Sequence, residues 1–291
     1  MEKMKFSGED LAKLKKLGAG AIAEVYKLSE ELVLKVFKKM EDDLLKEDAM
    51  ADKVGIENDT CVFPKSLAEI DGEYKGYVMQ FIDGEMLGDV AKKIDFEVLI
   101  PAIQRAEKDI KELSKDKIMF ADVNQGSLMW TKDNRIKVID TDFFHKVKDK
   151  DVSEEEVSKH NMGSFYTMLE METGLLNGPI NDFLNDYNEY KKCYAEYMKA
   201  SVTGKPVSIT TLYLKAIEIF QKEFGITPRN IEEMELILKE HNLYKEPVVT
   251  MDSNDQSIQG SDDIPVFEPP TKPHNHTARA EEKATHDLDE I

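Results

Sequence analysis

The chain has 291 residues, of which 41% are hydrophobic and 33% charged, and carries a formal net charge of −19. That balance fits a globular protein with a wet surface and argues against nucleic acid or anionic lipid as a partner, since both need a basic face. Cys61 and Cys193 are too few for a disulfide framework, no apolar run approaches a membrane span, and residues 1–6 lack an apolar stretch behind their charges, so a cytoplasmic location is expected.

The first third has the patterning of strands. Residues 25–28 and 32–37 flank Ser29-Glu30-Glu31, a tight connection, and residues 66–70 and 77–81 bracket Asp71-Gly72-Glu73, a second hairpin signal. Between these pairs, residues 42–54 place Leu44, Leu45, Ala49, Met50 and Val54 at helical spacing, with Gly55 as a stop. From Asp95 the pattern turns helical, with Val98, Leu99, Ile103, Ala106, Ile110 and Leu113 on one stripe. Strands at 128–130 and 136–139 enclose a turn at Thr131-Lys132-Asp133-Asn134. Helices are expected over 153–172, 180–200, 209–224 and 231–241, interrupted by Gly174, Gly204-Lys205-Pro206 and Gly225-Ile226-Thr227-Pro228. Phe165, Met168, Leu169 and Met171 are expected in the core. Past Pro247 the composition turns acidic and polar, which predicts a disordered tail able to recruit a protein partner.

Three stretches carry chemistry. In Leu17-Gly18-Ala19-Gly20-Ala21-Ile22-Ala23-Glu24-Val25, the two glycines let backbone approach a phosphate with no Cβ in the way; an ordinary turn between strands is the other reading. Lys35 sits among Val33, Leu34, Val36 and Phe37, where an ammonium is costly unless it meets a polar cleft or an anion; an edge-strand lysine with an exposed head is the plainer account. Downstream stand Phe120-Ala121-Asp122-Val123-Asn124-Gln125-Gly126-Ser127 and Val138-Ile139-Asp140-Thr141-Asp142. A buried aspartate after an apolar strand needs a cation or donors; two loop aspartates capping turns is the alternative.

In this order the motifs resemble the signature of the protein-kinase-like superfamily, in an atypical form with an Asp-x-Asp metal motif like that of some bacterial members. The resemblance covers roughly residues 11–243. It implies a bilobal α+β fold, with a sheet lobe over 1–83 and a helical lobe over 84–246, followed by the tail, 247–291. It implies ATP with Mg²⁺ or Mn²⁺ as cofactors. Gly18, Gly20, Ala23 (at the usual third glycine) and Val25 would cover the nucleotide. Lys35 would bind its α- and β-phosphates and pair with Glu47, or else Asp48. Met79 would flank the adenine, and the backbone of Gln80 and Ile82 would bond its edge. Asp122 would orient the acceptor hydroxyl and Asp140 would hold the metal. Ser127 stands where a metal-binding asparagine is usual, and Asp142 would supply the oxygen that Ser127 supplies badly. Phe120-Ala121 replaces the usual His-Arg, leaving Phe120 to pack where the histidine ring would. His160 or Asn161 falls where an aspartate is usual. The segment after Asp142 is short and lacks Ala-Pro-Glu. The implied activity is transfer of the ATP γ-phosphoryl group to a hydroxyl, foremost of a protein Ser or Thr. A pseudokinase acting as a nucleotide-binding scaffold, and a small-molecule kinase of the aminoglycoside or choline type, are the alternatives.

Overall fold

Asp71 and Gly72, at φ 53° and 85°, make the tight reversal that the Asp-Gly pair predicts, and the strands on either side pair antiparallel. The computed structural model describes residues 3–122, 124–203 and 207–245. The expected tail and Gly204-Lys205-Pro206 lie outside those residues.

In chain order the elements are β1 (Met4–Phe6), α1 (Gly8–Lys13), β2 (Lys15–Ala19), β3 (Ala23–Lys27), β4 (Leu32–Phe37), α2 (Glu47–Ala51), β5 (Pro64–Ile70) and β6 (Glu73–Gln80). There follow β7 (Gly84–Met86), α3 (Leu87–Val90), α4 (Phe96–Lys115), β8 (Ile118–Met119), β9 (Leu128–Thr131), β10 (Ile136–Val138) and β11 (His145–Lys146). The chain closes with α5 (Glu154–Thr173), α6 (Pro179–Leu184), α7 (Asn188–Thr203), α8 (Thr210–Phe224) and α9 (Ile231–Glu240). The result is a mixed α+β protein, with a sheet in the N-terminal region and helices in the C-terminal region.

Six strands form one sheet in the order β1-β5-β6-β4-β3-β2, antiparallel except where β1 runs parallel to β5. Period-two alternation gives this sheet two apolar faces. Leu34, Ala68 and Val78 face one way, under Leu11 of α1. Ala23, Val33, Phe37, Leu67, Tyr77 and Met79 face the other, together with Leu45 and Met50. In the helical region α4 packs on α5, and residues of α6, α7, α8 and α9 complete the core around them. The box at the start of α5 is closed by Ser153 Oγ, which accepts from Glu156 N–H (3.2 Å), and by Glu156, which accepts from Ser153 N–H (2.7 Å).

Several expectations need correction. The helix expected over 42–54 is broken. The Asp42 side chain accepts from Leu44 N–H (2.8 Å) and closes a separate turn, Lys46 is extended, and only Glu47–Ala51 is α-helical. The helix expected over 180–200 is two, divided at Asn185-Asp186-Tyr187, whose amides close short turns onto Asn181, Phe183 and Leu184. Met171 is 39% exposed, because it projects from the solvent side of α5 while Phe165, Met168 and Leu169 are buried.

Candidate functional site

Strand register brings the first group of candidates together. Gly18 pairs with Val25, Val25 with Lys35, and Lys35 with Tyr77, so these four form one row across β2, β3, β4 and β6. Directly paired residues project from the same face, so Val25, Lys35 and Tyr77 share the face that carries Ala23, Val33 and Met79. Val25, Met129 and Ile139 are partly exposed beside the cluster containing Met79 and Ile82, leaving an apolar rim near Asp140. Gln80, at the end of β6, is exposed.

Neither Gly18, in β2, nor Gly20, in the turn that follows it, is demanded by the fold. A Cβ at Gly18 would meet nothing within 4 Å, and one at Gly20 would come only to 4.0 Å from the Ala23 carbonyl. Neither has a positive φ. Open space above a glycine turn is what a ligand approaching the backbone requires. The turn is pinned from below, since Lys38 Nζ donates to the Gly20 carbonyl (2.7 Å) and Lys38 N–H to that of Ile22 (2.7 Å).

The Lys35 ammonium reaches across to the segment after β10. It lies 2.9 Å from Asp140 Oδ1 and 2.6 Å from Asp142 Oδ2. Tyr77 donates its hydroxyl to Asp142 Oδ1, so both carboxylate oxygens of Asp142 are engaged. Lys53 donates to the Asp142 carbonyl and, at 3.4 Å, to that of Leu44. The Asp142 side chain is only 3% exposed and that of Asp140 38%.

This end of β10 is fixed by the sheet region. Val138 N–H donates to the Thr60 carbonyl and Val62 N–H to that of Val138, each at 2.9 Å, and Thr141 Oγ1 donates to the Val62 carbonyl (2.8 Å). Asp140 therefore follows a strand end held from both regions of the protein.

Asp122 is exposed, at φ 55°, on the loop between β8 and β9. Asp tolerates this left-handed conformation better than most residues. The loop is braced at its root, where Asn161 Oδ1 accepts from Phe120 N–H (2.8 Å) and Asn161 Nδ2 donates to the Ile118 carbonyl (2.7 Å). Glu172 accepts from Gly126 N–H. Two links join this loop to the Asp140 segment. Phe120 stacks on Phe144 with ring centroids 4.1 Å apart, and Ile139 N–H donates to the Ser127 carbonyl (3.0 Å). Phe144 in turn meets Phe63 edge-on at 6.3 Å.

The electrostatics follow from burial and pairing. Burial alone would lower the Lys35 pKa, but the Asp142 and Asp140 carboxylates outweigh it and hold it above its usual value. Burial pushes the Asp142 carboxyl up, against the pull of Lys35. The buried Tyr77 hydroxyl is pushed well up by desolvation and by the negative charge beside it. Burial lowers Lys53 to about 8.

Glu47 does not pair with Lys35. It stands in the first turn of α2 and bonds Lys3 of the neighbouring sheet edge at 2.6 Å, because Met50 takes the inward face of this short helix. Asp48 is exposed. The partner of Lys35 that the sequence places on α2 is supplied instead by Asp142. Ser127 is 3% exposed. Tyr77, Lys53, Asn161 and Glu172 complete the arrangement. A hydroxyl beside Val78 and Met79 is the local signal for Tyr77, whereas Lys53, between Asp52 and Val54, carries none.

Among the described residues, no group of three or more His, Cys, Asp or Glu is placed to hold a metal, and no helix is long and apolar enough to cross a membrane. Cys61 and Cys193 are free and buried. An open depression of about 370 Å³, lined by residues that include Gln80, Ile82 and Lys132, does not include Lys35 or Asp140. No family model matches the chain, and no curated protein matches it.

Lys53 offers a test of this electrostatic account. Its pKa falls from about 10.5 to about 8 on folding, so between those values the unfolded chain holds the extra proton. Stability owed to this group therefore rises with pH through that window. Lys53→Met should remove the slope, and the wild-type melting temperature should gain on that of the variant between pH 7 and pH 10. A constant difference across that range would contradict the buried placement of Lys53.

Proposed function

We propose that the chain is an ATP-dependent phosphotransferase of protein-kinase-like fold, the sheet region and helical region being its two lobes. The observation that carries the reading is the 2.9 Å contact between Lys35 and Asp140, residues 105 positions apart, with Gly18 and Val25 in the same row as the lysine. A glycine turn, a strand lysine and a strand-end aspartate thus converge on one place, with an apolar rim beside them.

The residues fit the cofactors. Mg²⁺ commonly binds through one or two carboxylates plus substrate phosphates, so the partly exposed Asp140 carboxylate would suffice without an all-protein cage. Bound with ATP, the cation would neutralise charge on the β- and γ-phosphate oxygens. Lys35 would bind the α- and β-phosphates. Val25, Met79 and Ile82 would enclose the adenine. Asp122 would accept the proton of the acceptor hydroxyl and orient its oxygen, and the Asn161 and Glu172 braces would hold that loop still. A protein Ser or Thr is the leading acceptor. The short link from Asp142 to α5 leaves little platform for a peptide, so small hydroxyl compounds belong in the same screen.

A second reading, a nucleotide-binding pseudokinase in the cytoplasm, draws on the burial of Ser127 and the engagement of both Asp142 oxygens, which leave Asp140 with little help in holding a metal.

The test is a thermal-shift titration followed by ATP turnover with Mg²⁺ or Mn²⁺. Millimolar ATP should raise the melting temperature by several degrees, and Lys35→Ala should remove most of that rise. No shift with the wild-type chain would overturn both readings, and a shift without turnover would favour the second.

A further inference from the structure

We propose that Asp142 is a positioning residue that aims Lys35, and not a ligand of the metal. This rests on the nucleotide-binding reading above. The Lys35 ammonium needs a fixed carboxylate beside it if it is to stay over the cleft when phosphates arrive. Glu47 is turned away to Lys3, and the geometry gives the task to Asp142.

Three supports hold that carboxylate. Lys35 and Tyr77 are directly paired across β4 and β6, so their side chains leave the sheet side by side and take one Asp142 oxygen each. The Lys53 ammonium fixes the Asp142 main chain through its carbonyl. Thr141, the preceding residue, is bonded to Val62. A carboxylate 3% exposed, with both oxygens engaged by protein donors, offers no open position to a cation that keeps several waters and phosphate oxygens. Asp140, 38% exposed, does.

The arrangement divides the labour between two aspartates that share one lysine. With Asp142 in place, Lys35 is held from the protein side and Asp140 keeps an oxygen for the cleft. Without it, Asp140 is the anionic partner left to Lys35 among the described residues, and Lys35 draws that carboxylate away from the metal position. Coupling of this kind lies within the Asp-x-Asp segment and does not require α2 to move.

The experiment is calorimetric titration of ADP into the full chain, once in EDTA and once in Mg²⁺. Wild type is compared with Asp142→Asn, Lys35→Met and their double variant. If Asp142 acts through Lys35, Asp142→Asn weakens ADP binding at least about tenfold in EDTA as well as in Mg²⁺. The double variant then binds no more weakly than Lys35→Met alone. Tyr77→Phe, which keeps the ring and removes the hydroxyl, weakens binding in the same direction by a smaller factor. It also guards against Asp142→Asn failing to fold. A loss that appears only with Mg²⁺ would make Asp142 a metal ligand, and additive losses would separate it from Lys35; either result overturns the proposal. Wild-type protein that binds no ADP in either buffer overturns the phosphotransferase reading and this proposal with it, a pattern that the variant comparisons cannot produce.

Discussion

Gly76→Ala is expected to lower the unfolding free energy by about 3 kcal/mol and to weaken nucleotide binding in the same molecule. Gly76 lies in β6 opposite Val36, one step along from the Lys35–Tyr77 pair. A Cβ there would come to 2.0 Å from the Lys35 carbonyl oxygen, 3.0 Å from its carbon and 3.1 Å from Val36 Cα. All three are backbone atoms, so no side chain can swing away to make room. Either β4 separates from β6 or the pairing is lost, and in both cases Lys35 moves relative to Asp140 and Asp142. Gly163→Ala is the control. Its Cβ would meet nothing within 4 Å and its place is inside α5, so the change should stabilise by ~0.5–1 kcal/mol and leave binding unaltered. Urea midpoints together with ATP-induced thermal shifts measure both effects. If Gly76→Ala keeps the wild-type midpoint and shift, the close approach of β4 and β6 at Lys35 is wrong.

That glycine also illustrates what a sequence does and does not disclose. The strands around it were legible because alternation has a short period, and Val33, Leu34, Lys35 and Val36 announce a strand from their own composition. Lys35 and Asp140 were legible for a related reason, since a charge inside an apolar strand or at its end is costly enough to demand a partner. The partner itself was not. Pairing of Lys35 with Asp142, and of Asp142 with Tyr77, joins β4, β6 and the segment after β10, and no local pattern encodes such distances. Glu47 falls mid-helix in the pattern over 42–54, but the apolar spacing there reports burial of Leu45 and Met50 and does not register the break at Lys46. The start of the chain carries a local signal of its own. Ser7 and Asp10 form a capping box, with Ser7 Oγ accepting from Asp10 N–H (3.1 Å) and Asp10 accepting from Ser7 N–H (3.0 Å), and it marks the start of α1. Three-residue strands such as β1 and β7 are too short to carry a period of their own, and they form because a neighbour offers an edge.

Asp122→Asn and Asp140→Asn should both cut turnover by about a hundredfold or more, and they should differ in everything else. Asn accepts a left-handed backbone as readily as Asp, so at φ 55° the Asp122 substitution changes charge and basicity without disturbing the loop. Loss of a group that acts only on the acceptor hydroxyl lowers kcat and leaves ATP affinity and the metal requirement where they were. Asp140 touches Lys35 and is 38% exposed. If Asp140 holds the metal as proposed, its substitution removes a negative charge from that position and from the lysine at once, so half-saturation by Mg²⁺ should rise along with the fall in kcat. Steady-state rates across a Mg²⁺ titration at saturating ATP separate the two patterns. Equal metal requirements in the two variants would remove Asp140 from the metal position. If wild type binds ATP yet its slow phosphate release is the same in both variants, neither aspartate does chemistry, and a nucleotide-binding pseudokinase becomes the better account of how Lys35, Asp140 and Asp142 are used.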